Sequence, residues 1–189
     1  MDGQGMQFVA AALASLPPRR RVLEVGSLDV NGSARGLFTS ADVYQGIDLR
    51  PGRGVDVVAD GATYRPEFEP DTVVCLSVLE HTPDAEAICR NAAGLLSEGG
   101  AFIISAPIDG YPAHNRDGGG LEPGEYYRNV EPAELRDWLA GLTVQRWEVQ
   151  TGQLYVVAVR ESLATQRWRD QWDRLYVVAV KESEETSSD

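Results

Sequence analysis

A chain of 189 residues can bury one sizeable hydrophobic core and is short for two. Its hydrophobic fraction of 43 % is ordinary for a globular domain, and no apolar run reaches the ~20 residues that cross a bilayer. The net charge of −12 repels phosphate backbones, which disfavours a nucleic-acid partner unless a local basic patch exists.

The first element in the chain is a helix. Met6, Val9, Leu13 and Leu16 recur at helical spacing, and Pro17-Pro18 stops it. The segment 8–16 is apolar, but no basic stretch precedes it and the cluster Arg19, Arg20, Arg21 follows it. A signal peptide is therefore not the reading, and a cytoplasmic protein is expected. That arginine cluster and the one at 50–53 read as solvated turns.

Strands alternating with helices then predict a doubly wound, mostly parallel sheet. The predicted strands are 21–25 ending at Gly26, 43–47 ending at Asp48, 55–59 ending at Asp60, and 72–76. A helix follows, with Thr82 as cap, Pro83 at its first position and an apolar stripe of Ala85, Ile88, Ala92, Leu95 and Leu96. Gly99-Gly100 is expected to end it before a fifth strand, 101–105. Residues 107–130 form a long loop rich in Gly and Pro. A helix opening at Pro132 carries Leu135, Trp138 and Leu139. Strands at 142–150 and 153–160 bring the count to seven, the last antiparallel. The fold expected is Rossmann-like α/β over residues 1–160.

Residues 161–189 read as an extension. Segments 145–162 and 166–183 match at 12 of 18 positions, a tandem duplication too short for a solenoid. A helix near 163–173 and a strand from Leu175 to Val180 are expected there, the strand either competing for the slot of the first copy or pairing with another subunit in a homodimer. The last residues, Glu182 to Asp189, have the composition of a disordered tail. Cys75 and Cys89 lack metal or redox spacing, and with two histidines in the chain no metal site is expected.

In an open α/β sheet, ligands lie outside the carboxyl ends of the strands. Read in order, those ends carry Glu24, Gly26 and Ser27; Asp48 and Leu49; Asp60 and Gly61; and Ser77, Val78 and Leu79. Glycine at 26 permits close approach of a ligand, and an acid at 48 stands where ribose hydroxyls are bound. Asp60 could take an adenine amino group. Three acids at three successive strand ends point to a nucleoside.

These residues resemble a known family. VLEVGSLDVNG (22–32), YQGIDL (44–49), VVADGA (57–62) and VVCLSVLEHTPD (73–84) look like the first four motifs of class I S-adenosylmethionine-dependent methyltransferases. LLSEGGAFIISAP (95–107) is similar to the helix and fifth strand of the same family, and Leu-Glu-His-x-Pro-Asp is the specific element. The resemblance, over about residues 6–160, implies that Glu24, Gly26 and Ser27 line the methionine part of the cofactor. It implies further that Asp48 binds ribose, that Asp60 binds adenine, and that Ser77, Val78 and Leu79 pack near the sulfonium. Leu28 and Val30 stand where further glycines are common. The same departure removes the Gly-x-Gly-x-x-Gly that a nicotinamide enzyme needs for its pyrophosphate.

The acceptor site is expected near the ends of strands four and five. His81 carries either a proton-transfer role or a structural one, orienting Glu80. His114 is a candidate base or acceptor contact, and Asp109, Asn115, Tyr126, Tyr127 and Arg128 are candidate substrate residues in the long loop. The function expected is methyl transfer to an oxygen or nitrogen of a small molecule. A nucleic-acid or protein methyltransferase and a non-catalytic cofactor-binding subunit are the alternatives.

Overall fold

A computed structural model describes residues 3–162 and Thr165. Within them the apolar segments become strands β1 (Arg21–Val25), β2 (Val43–Asp48), β3 (Val57–Val58), β4 (Thr72–Leu76), β5 (Ala101–Pro107), β6 (Thr143–Gln150) and β7 (Gln153–Val159). Three α-helices accompany them, α1 (Gly3–Ser15), α2 (Ala85–Leu95) and α3 (Pro132–Trp138), with 3-10 turns at Ala34–Leu37 and Leu79–His81. The strands form one sheet in the order β3-β2-β1-β4-β5-β7-β6. Only β7 runs against its neighbours, pairing antiparallel with both β5 and β6. The winding reverses between β1 and β4, which pair in parallel at the centre, so their carboxyl ends open the crevice of the switch point.

The period-two alternation of the strands divides the core in two. Leu23, Val25, Val73, Cys75, Phe102, Ile104, Leu154 and Val156 face α2 and α3. Val22, Val74, Leu76, Ile103, Tyr155 and Val157 face α1 and the first 3-10 turn. Each fully buried Ile, Leu or Phe here contributes about 1.5–3 kcal/mol through removal of apolar surface from water. Glu24 shares the second face with Val22 and is buried in it, an acid where the alternation expects a hydrocarbon.

Several elements differ from the sequence expectation. The buried face of α1 is Gly5, Phe8, Val9 and Ala12, whereas Leu13 and Leu16 are only partly covered. Phe8 turns the helix, its ring lying 5.1 Å from that of Tyr155 on β7. Helix α2 starts at Ala85, not at Pro83, because Leu79–His81 forms its own 3-10 turn and the Thr82 hydroxyl accepts from the Asp84 N–H. It ends at Leu95, well before Gly99-Gly100. Gly99 adopts φ +73° in the turn into β5, where its N–H donates to the Arg160 carbonyl. Strand β3 is shorter than 55–59 and β5 runs two residues beyond 105. Arg19 is buried instead of solvated, its guanidinium donating to the carbonyls of Asp71 and Gly99 at 3.2 and 3.1 Å. The second copy of the duplication, with its expected helix, strand, dimer edge and tail, lies outside the described residues. No helix among the described residues is long and apolar enough to cross a membrane.

Candidate functional site

A cavity of about 800 Å³ opens at the carboxyl ends of β1, β2 and β4, within the size range of small-molecule and cofactor pockets. Its geometry starts from the chain reversal after β1. Gly26 has φ +75°, and a Cβ there would lie 2.1 Å from Val78 Cγ2. The N–H groups of Gly26 and Ser27 both donate to the Ile47 carbonyl, at 2.8 and 3.0 Å, which ties the β1 turn to the end of β2. Gly46 allows that closeness, since a Cβ on it would meet the Gly54 carbonyl at 2.4 Å and the Ser27 side chain at 2.6 Å. The tie brings the Asp48 carboxylate to the turn, half-buried and lining the cavity. Asp48 Oδ1 accepts from the Arg50 N–H at 2.9 Å, and Oδ2 is only loosely engaged, 3.4 Å from the Leu28 N–H. That carboxylate keeps acceptor capacity for a ligand diol.

Glu24 lines the same cavity with 5 % of its surface exposed. Burial pushes its carboxyl up to about 7, against the opposing influence of the neighbouring Tyr44 hydroxyl and Arg35 guanidinium. Its Oε2 and the hydroxyl of Ser27 are buried without a hydrogen-bond partner. Native interiors rarely leave such atoms unpaired, and a cationic, hydrogen-bonding ligand would satisfy them.

Asp60 is exposed at the rim, and its Oδ1 accepts from the Ala62 N–H at 2.9 Å. It therefore both shapes its own turn and lines the cavity. Asn91 on α2 holds that turn, donating to the carbonyls of Gly61 at 2.8 Å and Tyr64 at 3.1 Å. Ser77, at the end of β4, takes φ 53°, a left-handed conformation rare outside glycine that turns the chain under the cavity.

The segment after β5 closes the far side. Its N–H groups at Ile108, Arg128 and Val130 donate to the carbonyls of Gly152, Glu80 and Pro107, all at 2.8–2.9 Å. Within it the rings of Tyr111, His114 and Tyr127 gather around His81: His81 to His114 5.1 Å, His81 to Tyr127 5.5 Å, His114 to Tyr127 4.9 Å. Burial, with His114 adding to it, holds His81 down to about 4, so its imidazole is neutral near pH 7. Glu80 is fully buried behind it and pushed up to about 8 by desolvation.

Of the residues singled out in the sequence, Glu24, Gly26, Ser27, Asp48, Leu49, Asp60, Gly61, Ser77, Val78, His81 and His114 line this one cavity. Leu79 does not; it is buried in the core packed by α2. Neither do Asp109, Asn115, Tyr126, Tyr127 and Arg128. Asn115 braces the loop by accepting from Asp117 and Gly119, Arg128 pairs with Glu134 at 3.0 Å, and Asp109 and Tyr126 are exposed. Tyr127 stands behind the histidines, its hydroxyl donating to Asn129. The cavity also takes in Tyr111, Arg116, Ser105, Gln153 and Tyr155, which sequence reading did not select. Ser105, Gln153 and Tyr155 arrive through the β5–β7 pairing, which no local pattern encodes.

The fold is that of class I S-adenosylmethionine-dependent methyltransferases, a Rossmann-like sheet whose single reversed strand sits between β5 and β6. The chain resembles the magnesium protoporphyrin IX methyltransferase of Synechocystis PCC 6803, solved with bound S-adenosylhomocysteine. The TM-score is 0.61 at 23 % identity, covering 84 % of this chain and 83 % of that one. By sequence it is 35 % identical over 94 residues to the ubiquinone biosynthesis O-methyltransferase of Xanthomonas euvesicatoria, covering 45 % of this chain. It is 29 % identical over 121 residues to the trans-aconitate 2-methyltransferase of Methylobacterium radiotolerans, covering 52 %. The matches span 39 % and 46 % of those relatives' own lengths. No family profile matches the chain.

Proposed function

We propose that this protein is an S-adenosylmethionine-dependent methyltransferase acting on an oxygen or nitrogen of a small molecule. The observation that carries the reading is the Asp48 carboxylate, held inside the cavity beside the Gly26 turn with acceptor capacity to spare. The fold shared with methyltransferases, and relatives whose names specify small acceptors, support it.

The residues present fit the cofactor. Glu24 and Ser27 offer unpartnered polar atoms to its amino-acid end, Asp48 would take the ribose hydroxyls, and Asp60 with Gly61 would flank the adenine. When bound, S-adenosylmethionine supplies a methyl group already activated on a sulfonium. The chain's own task is then mainly positioning and exclusion of water. The loop 108–131 and the Tyr111–His114 wall enclose the acceptor end, where His81 and His114 would contact the acceptor. Residues 1–160 constitute the catalytic unit, and the acidity of the chain favours a small-molecule acceptor over a nucleic acid.

Calorimetry of the full chain with S-adenosylhomocysteine, followed by methyl release in an acceptor screen, tests this. One site per chain and turnover with a small acceptor are expected. Absence of binding at millimolar ligand overturns the reading. Binding without turnover, or turnover only on a macromolecule, replaces it with one of the alternatives.

A further inference from the structure

We propose that Glu80, His81 and His114 form a divalent-metal site at the acceptor end of the cavity, able to bind an acceptor through two adjacent oxygens. The acceptor half of this proposal rests on the methyltransferase reading; the metal half does not.

Three observations converge. First, one donor atom from each of these side chains lies within 4.8 Å of the other two, with His81 Nε2 3.8 Å from Glu80 Oε1. Metal–ligand bonds of about 2.0–2.2 Å place neighbouring donors about 3–3.5 Å apart, within reach of small χ rotations. Second, the set is unsatisfied. Glu80 is fully buried, and neither carboxylate oxygen accepts a hydrogen bond from another residue. A buried carboxylate in that condition needs a cation or a proton. Third, the hydrogen bonding of His114 leaves it a nitrogen for ligation. Its Nδ1 lies 3.1 Å from the Pro112 carbonyl, which can only accept. The proton is thus assigned to Nδ1, leaving the Nε2 lone pair free, the arrangement by which a backbone carbonyl fixes a metal-binding histidine.

Two imidazoles and one carboxylate suit a borderline transition ion such as Zn²⁺, Co²⁺ or Fe²⁺. Three protein ligands leave coordination positions open, as in catalytic and not structural sites. His81 and His114 both line the cavity, so the open positions face it. Neighbouring open positions match a bidentate oxygen donor: a vicinal diol, or a hydroxyl beside a carboxylate.

The test uses the full chain stripped with a chelator and titrated with Co²⁺, then with Zn²⁺ in competition. Expected is one ion per chain with visible Co²⁺ bands of histidine coordination. His114→Ala, in a surface loop, should weaken metal binding at least about tenfold while leaving the circular dichroism spectrum unchanged. Glu80→Gln should do the same if it folds. No stoichiometric ion, or equal affinity in His114→Ala, overturns the site. Catechol added to the Co²⁺-loaded protein should shift the bands where phenol does not; identical responses overturn the acceptor half. Metal binding in a chain that fails to bind S-adenosylhomocysteine would sustain the site and sink the methyltransferase reading.

Discussion

Arg50 and Asp117, 67 positions apart in the chain, pair at 3.1 Å and join the segment that follows Asp48 to the loop after β5. Both segments line the cavity, so the pair links its nucleoside end to its acceptor end. The side chains are 39 % and 62 % exposed, and such a pair is worth at most about 1 kcal/mol. Asp117→Ala should therefore barely move Tm, yet raise amide exchange across residues 112–120 and the acceptor KM. Hydrogen exchange read beside thermal melts checks this; unchanged exchange would show that the other bonds of the loop hold it without the Arg50–Asp117 pair.

Asp48→Asn keeps the shape of the side chain and removes its charge. A charged hydrogen-bonding group contributes about 1.5–3 kcal/mol, so S-adenosylhomocysteine affinity should fall by about ten- to a hundredfold. Little stability should be lost, because the side chain is only half-buried. Calorimetry and a denaturant curve on one preparation separate the two effects.

Gly26→Ala imposes two penalties, a left-handed backbone and a Cβ only 2.1 Å from Val78 Cγ2. A loss of about 1–3 kcal/mol is expected from the strained conformation alone, with cofactor binding lost as well. Adding Val78→Ala removes the collision and leaves the φ penalty, so Tm should recover in part. Full recovery would mean that the backbone conformation costs nothing.

Glu24 sets a pH dependence whose sign is fixed by its shift. Its carboxyl, ordinarily near 4.5, is pushed up to about 7, so between these values the folded chain holds a proton that the unfolded chain has released. The contribution of Glu24 to stability is thus greatest below about 4.5 and declines as pH rises to about 7, by up to about 3 kcal/mol. Glu24→Gln should flatten that part of the Tm–pH curve and raise Tm at pH 8. A cationic ligand favours the ionised form. Cofactor affinity in the parent chain should therefore increase from pH 6 to pH 8, and that increase should vanish in the variant. An identical pH profile in Glu24→Gln would remove Glu24 from the cofactor site.

Strand existence was legible because it is a local property. Val73–Leu76 and Ala101–Ile104 are unbroken apolar runs, and such runs suit strands covered on both faces. The acids at 24, 48 and 60 are legible for the same reason, each standing at or beside the carboxyl end of an apolar segment. The helix ends were less legible. Gly99-Gly100 is a sound stop signal, yet α2 halts at Leu95, and Gly99 serves the turn where Arg160 pairs after β7. Spacing finds Val9, Leu13 and Leu16 on the covered side of α1, whereas the contact of Phe8 with Tyr155, a partner distant in sequence, is not written locally.

What the sequence determined by itself was the alternation of elements and the chemistry at each strand end, both written in spacing and residue type. The tertiary structure alone decided the strand order, which puts Gln153 and Tyr155 beneath the cavity. It also decided the meeting of the chain's two histidines beside Glu80. The reason is physical. Periodicity records which face of one segment is buried, whereas the choice of neighbour depends on pairing energies summed over the whole sheet, against the entropy of closing long loops.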